Sequence, residues 1–302
     1  MVDLYIEKYF DTVNHDKLIS ILRERVNEAK VLHLIRSFLR AGVMEDGLVS
    51  PTEEGVPQGG PLSPVLSNIY LDKLDKELEC RGLGFLRYAD DCDIFVRSEK
   101  AADRVMASVS SWLERKLRLK VSASKTKVVR PTKSTFLGFN FWKSTEGWKP
   151  RPAKDRKAKL CEKVKTVLCR KRAAEMPLGA VLTKLNQILR GWINYFRIGS
   201  MKGWLRDDFC PWMRHKVRVV ILKQWKKPKT VQRNLSRLNA KLRCNLSDED
   251  IYKTANSHLG WYRKAKGNVV NFLLSPKALS LPNKKENRPG LVDPLAYYLG
   301  NT

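Results

Sequence analysis

One segment constrains this chain more than any other: Phe85-Leu86-Arg87-Tyr88-Ala89-Asp90-Asp91-Cys92-Asp93-Ile94-Phe95-Val96. Its side chains alternate like those of a strand, the alternation breaks at two adjacent acids, and then it resumes. That pattern reads as a β-hairpin with Asp90 and Asp91 at its turn. Adjacent carboxylates repel one another, so a stiff hairpin that presents them is usually neutralised by a hard cation, and oxygen ligands of this kind suit Mg²⁺. Two such ions can stabilise both the attacking and the leaving oxygen of a phosphoryl transfer. An isolated Asp-Asp pair is more often an ordinary acidic turn, and its meaning here depends on its neighbours.

At 302 residues the chain can bury a real core and divide into two domains. No apolar run approaches the length of a membrane span. The start, Met-Val-Asp-Leu-Tyr-Ile-Glu, lacks the basic and then apolar layout of a signal peptide. Six cysteines without a CxxC pair argue for reduced thiols in a cytoplasmic protein and against a zinc knuckle. The net charge of +27 is distributed unevenly. Residues 1–150 carry 24 Lys and Arg against 21 Asp and Glu, whereas residues 151–302 carry 34 against 10. Such a basic half attracts a polyanion, most simply a nucleic-acid backbone. An anionic membrane surface is the weaker alternative, since no long amphipathic basic segment is present.

Val2, Leu4 and Ile6 alternate with Asp3, Tyr5 and Glu7 in an opening strand. Helices follow at 16–26, capped from within 11–14, and at 31–40. A polar hairpin is expected over 42–54. The rigid loop Gly55-Val56-Pro57-Gln58-Gly59-Gly60-Pro61-Leu62-Ser63-Pro64 then leads into a helix over 65–78. After the acidic hairpin come a helix at 101–119, a short strand at 127–130 and an aromatic hairpin candidate at 136–141. This order gives an α+β domain on an antiparallel sheet. Residues 143–154 read as a polar, irregular boundary, dividing the chain into domains 1–145 and 146–302. Beyond it, basic helices are expected at 155–171, 178–197, 204–226 and 230–242, with aromatics interleaved. Residues 277–288 read as a loose basic linker.

In order and spacing these motifs resemble the reverse transcriptase–maturases encoded by bacterial group II introns. Tyr88-Ala89-Asp90-Asp91 resembles the palm metal site, and residues 55–64 the family's GVPQGGPLSP motif. Ser122-Ala123-Ser124-Lys125-Thr126-Lys127 resembles the lysine motif that follows. Phe136-Leu137-Gly138-Phe139 resembles the primer grip, and residues 185–196 the maturase domain. The resemblance implies a reverse-transcriptase palm followed by a basic, mostly α-helical thumb and maturase domain. It implies Asp90 and Asp91 as Mg²⁺ ligands, with Lys125 opposite the pyrophosphate leaving group. Phe10, Pro57, Gln58, Gly59 and Tyr88 would contact nucleotide and template, and Phe136, Leu137 and Gly138 the primer end. Arg190, Trp192, Tyr195, Arg197, Arg214, Lys216, Arg218 and Lys223 would bind RNA.

Two departures limit the likeness. The family's first palm motif has an acid where this chain has Tyr5, although Phe10 and Asp11 match. A phenol is neutral at neutral pH and a poor ligand for a hard cation, so the two-ion Mg²⁺ site is expected to be incomplete. Asp3 and Glu7 share the strand face of Tyr5 and are candidate substitutes. Relative to the family the chain also begins inside the palm, without the fingers, which a second copy or an upstream fragment would have to supply; the first strand could then lack a neighbour. The four histidines suggest no nuclease cluster. The expected function is an intron-encoded RNA-directed DNA polymerase and maturase, acting on group II intron RNA with a DNA primer and dNTPs, and impaired in polymerisation. The alternative is an RNA-binding maturase without polymerase activity. A retron-type or diversity-generating enzyme is disfavoured by Arg190-Gly191-Trp192-Ile193-Asn194-Tyr195-Phe196.

Overall fold

A computed structural model describes residues 1–41, 43–45, 48–50, 54–57, 60–283 and 288–300, with backbone alone at 43–45 and 48–50. The chain forms two compact units, Met1–Phe136 and Leu137–Thr302.

The first unit opens with β1 (Val2–Tyr5), α1 (Tyr9–Thr12), α2 (His15–Arg23) and α3 (Ala29–Arg40). Asn14 caps α2 by accepting from the Lys17 amide at 2.9 Å, as its side-chain carbonyl equips it to do. The antiparallel pair β2 (Val43–Glu45) and β3 (Leu48–Ser50) lies within the expected polar hairpin. Next come α4 (Ser63–Cys80), β4 (Gly84–Tyr88), β5 (Asp91–Phe95), α5 (Glu99–Trp112) with a π-helical turn at Leu113–Leu117, and β6 (Lys127–Val128). One four-stranded antiparallel sheet, ordered β4-β5-β1-β6, organises the unit. The first strand therefore has a neighbour on each side, contrary to expectation. Its register pairs Leu4 with Cys92 and Val2 with Ile94, and all four side chains are buried on one face. Because side chains alternate, Asp3, Tyr5, Asp91 and Asp93 share the opposite face.

The second unit begins with the hairpin β7 (Phe139–Ser144) and β8 (Gly147–Pro152); its first strand overlaps the aromatic hairpin candidate at 136–141, and its second lies in the stretch that reads as an irregular boundary. Its prolines look like breakers in sequence, but in a two-stranded hairpin a strand has an outer edge where no N–H is needed. Phe139 anchors the hairpin on the helical core. The helices are α6 (Lys154–Val167), α7 (Arg170–Glu175), α8 (Leu178–Phe196), α9 (Lys202–Trp204), α10 (Cys210–Trp225), α11 (Pro228–Leu242), α12 (Asp248–Asn256), α13 (Trp261–Lys264), α14 (Asn268–Leu273), α15 (Pro276–Ser280) and α16 (Pro294–Leu299). A π-helical turn, Leu205–Phe209, joins α9 to α10 just before Pro211, which has no N–H to continue an α-helical ladder. Val217, Arg218, Val219, Val220, Ile221 and Leu222 are all buried, so α10 runs through the middle of this core rather than along its surface. Helices α12 to α14 carry no expectation from sequence, and the linker expected at 277–288 begins inside α15.

Candidate active site and nucleic-acid interface

The β4–β5 turn is held in shape from below. Ala89 has φ 53°, a left-handed conformation that costs an L-residue roughly 1–2 kcal/mol. Arg87 offsets that cost by donating to the Ala89 carbonyl at 3.1 Å, while its Nε and Nη2 form a two-point pair with Asp75 on α4 at 2.6 and 2.5 Å. The turn thus projects Asp90 and Asp91 from a braced frame.

Two rows of side chains cross the open face of the sheet. One contains Tyr88, Asp91 and Tyr5; the other contains Leu86, Asp93, Asp3 and Lys127. Burial, followed by repulsion from Asp3 and Asp90, raises the Asp91 carboxyl to about 6. Asp93 is only 1% exposed, and its Oδ2 has no hydrogen-bond partner among the described residues. Burial, then Asp3 and Asp91, push it to about 7. Lys127 opposes both shifts and meets Asp3 at 3.4 Å. Lys125 places its Nζ 4.1 Å from the centroid of the Tyr5 ring. Asp90, Asp91, Tyr5 and Lys125 are therefore neighbours, joined from segments far apart in sequence.

The Gly-Pro loop is tied to α1. Gly55 N–H donates to Val13 O at 2.8 Å and Val56 N–H to Phe10 O at 2.6 Å, while His15 Nε2 lies 2.7 Å from Gly55 O. Gly55 has φ 93°, and a Cβ there would sit 2.8 Å from Phe10 O, so only glycine fits. Phe10 is half-buried against the core, Pro57 O accepts from the Ser63 hydroxyl, and Tyr88 is exposed. Gln58 and Gly59 lie outside the described residues.

Phe136 closes the first unit, and Leu137 and Gly138 open the second. The latter two have φ 49° and 82°, and the Leu137 carbonyl accepts from the Tyr195 hydroxyl at 3.0 Å. They adjoin a groove of about 630 Å³ between α6 and α8. Arg156, Lys159 and Lys163 line one wall, at helical spacing along α6, with Glu162 beside them. Trp192 and Tyr195 line the other, and Tyr195 is stacked on Phe139 at 6.1 Å. A row of cations facing aromatic rings can take a phosphate backbone on one side and a sugar or base on the other.

The remaining expected RNA contacts do not gather there. Arg190 lies over Tyr297 at 6.0 Å, Arg214 pairs with Asp293 at 3.3 Å, and Lys216 lies over Trp212 at 5.3 Å. Lys223 donates to Arg170 O at 3.0 Å, and Arg197 is exposed at the end of α8. Arg218 corrects the expectation outright. It is 8% exposed, donates to Leu274 O at 3.0 Å and bonds the Asn271 side chain, so it ties α10 to α14 instead of facing a ligand. The groove cations on α6 escaped the sequence reading, although their i, i+3, i+7 spacing was visible within a helix already expected.

The family chemistry uses divalent ions, and the donors on this face do not complete such a site. Asp90 and Asp91 have a phenol opposite them in place of a third carboxylate, with an ammonium group resting on that phenol. Among the described residues no three His, Cys, Asp or Glu side chains gather as a metal's ligand set. Asp3, the candidate substitute, is engaged by Lys127, and Glu7 lies beyond the end of β1.

Two family models match the chain. Residues 1–141 match the family described as reverse transcriptase (RNA-dependent DNA polymerase), and residues 157–239 match the group II intron, maturase-specific domain. Protein YkfC of Escherichia coli is 31% identical over 41% of this chain and 41% of its own length. The group II intron-encoded protein LtrA of Lactococcus lactis is 44% identical over 24% of this chain and 12% of its own length. The chain thus spans well under half the length of these relatives. A telomerase structure from Candida tropicalis overlaps 99% of this chain and 49% of its own at 14% identity, with a TM-score of 0.43, too loose to bear on function.

Proposed function

The chain belongs to the group II intron-encoded reverse transcriptase–maturases, and from that premise we propose that it acts chiefly as a maturase, holding structured intron RNA through its second unit. The observation that carries this reading is the α6–α8 groove, where Arg156, Lys159 and Lys163 face Trp192 and Tyr195. No bond chemistry is required of the protein: cations neutralise phosphates, rings stack, and a folded RNA is favoured over its alternatives. The test is an RNA-binding titration at several salt concentrations with the native chain and the triple variant Arg156→Ala/Lys159→Ala/Lys163→Ala. Each lost phosphate contact lowers the magnitude of the slope of log affinity against log salt by about 0.7–0.9, so loss of three lowers it by roughly 2–3. An unchanged slope would sink the groove assignment.

A second reading, RNA-directed DNA polymerisation, is supported by the braced Asp90–Asp91 turn, the adjacent Lys125 and the Phe10–Val56 tie. On that reading Asp90 and Asp91 face the reacting phosphate, Lys125 the leaving group, and Phe10, Pro57, Gln58, Gly59 and Tyr88 the nucleotide and template. RNA-templated primer extension decides between them. The native chain is expected to extend poorly; robust extension abolished by Asp90→Ala would make the polymerase reading the correct one.

A further inference from the structure

We propose that Tyr5 and residues 122–127 form an internal cation clamp, in which Lys125 and Lys127 supply the positive charge that the acidic face of the sheet needs, and that this face consequently holds no divalent ion bound by Asp91. The proposal concerns the first unit alone and is independent of the RNA-binding reading of the second.

The clamp is built on backbone. Ser122 N–H donates to Tyr5 O at 2.9 Å, Tyr5 N–H donates to Thr126 Oγ1 at 3.1 Å, and Glu7 N–H donates to Lys120 O at 2.9 Å. Ile6 and Val121 add an antiparallel bridge. The segment is thereby pinned along the end of β1, and its two lysines reach the same face. Lys127 meets Asp3 at 3.4 Å, and Lys125 rests 4.1 Å from the Tyr5 ring centroid. A carboxylate at position 5 would face Asp91 and create a pocket of negative charge. The phenol instead offers the negative face of its ring, which attracts an ammonium group. A divalent ion entering beside Asp91 would find a phenol at position 5 and the Asp3 carboxylate already engaged by Lys127, and would meet a resident cation of like charge. The positive charge at this face is therefore covalently part of the chain.

Mn²⁺ is the probe, with the free ion followed by electron paramagnetic resonance in the presence of the full chain. The native chain and Asp91→Asn are expected to take up equal amounts. Tyr5→Asp is expected to gain at least one ion that a further Asp91→Asn removes. Uptake by the native chain that Asp91→Asn abolishes would overturn the proposal. Melting in EDTA tests the clamp itself. Lys125→Ala is expected to lower the melting temperature by about 2 °C in the native and Tyr5→Phe backgrounds, both of which keep a ring, and to have no effect in Tyr5→Leu. Equal losses in ring-containing and ringless backgrounds would show that Lys125 does not act through the ring, and would equally overturn it.

Discussion

Single residues carry most of the strain and charge in this molecule. Ala89 holds a left-handed turn position that an Asn or Gly would take at less cost. Ala89→Gly is therefore expected to stabilise the chain by about 0.5–1 kcal/mol, seen as a rise of a few degrees in melting temperature. No rise would mean that the Arg87 hydrogen bond already removes the strain. His215 makes the opposite kind of prediction. Its Nε2 is buried with no hydrogen-bond partner among the described residues, and its ring meets Tyr262 edge-on at 4.4 Å. Burial, then Lys266, hold its pKa below the ordinary 6.5; Arg218 and Lys216 act in the same direction, and a hydrogen bond to the Ala265 backbone opposes them. The folded state thus resists a proton that the unfolded chain accepts. Its contribution is complete above pH 6.5 and is lost as pH falls through the lowered value. The raised Asp91 and Asp93 carboxyls act in the opposite direction over this range, so the effect is read as a difference: the stability of the native chain relative to His215→Asn is expected to fall between about pH 7.5 and 5.

At the scale of elements, the same residue type does different work according to the helix face it occupies. Arg218 and Lys163 are both basic residues in basic helices, yet one is buried against α14 and the other lines a groove. Arg218→Met is expected to cost about 2–4 kcal/mol, because Leu274 O and Asn271 lose their donor, while leaving the salt dependence of RNA binding unchanged. A loss of stability together with a lower salt slope would return Arg218 to the interface. The period-two pattern around Asp90 and Asp91 made the β4–β5 hairpin legible, since burial of one face is written directly into alternation. The β7–β8 hairpin was legible only in part: the aromatic hairpin candidate at 136–141 overlaps the start of β7, whereas β8 falls in the expected irregular boundary. Pro150, Pro152 and Gly147 read locally as breakers, and only the docking of Phe139 against Tyr195 and Phe196 makes that stretch a pair of strands. Helices α13 and α14, of four and six residues, are too short to display a helical period.

For the whole molecule, the governing property is the separation of a nearly neutral half from a strongly basic one. RNA affinity is accordingly expected to fall at least about 100-fold between 50 and 200 mM salt, as multiple phosphate contacts require. A flat response would remove phosphate neutralisation as the basis of binding. Among the described residues no helix is long and apolar enough to cross a membrane.

What the sequence determined by itself was everything expressed through local pattern: the family, the order of motifs, the acidic hairpin, the phenol at position 5 and the charge asymmetry. These survive in one dimension because alternation, helical spacing and composition are properties of neighbours. Tertiary structure alone decided that Lys125 lies on Tyr5, that Lys127 meets Asp3, that Arg156, Lys159 and Lys163 face a groove and that Arg218 faces the core. The physical reason is that a cation's role depends on what desolvates and opposes it, and those groups come from strands and helices distant along the chain.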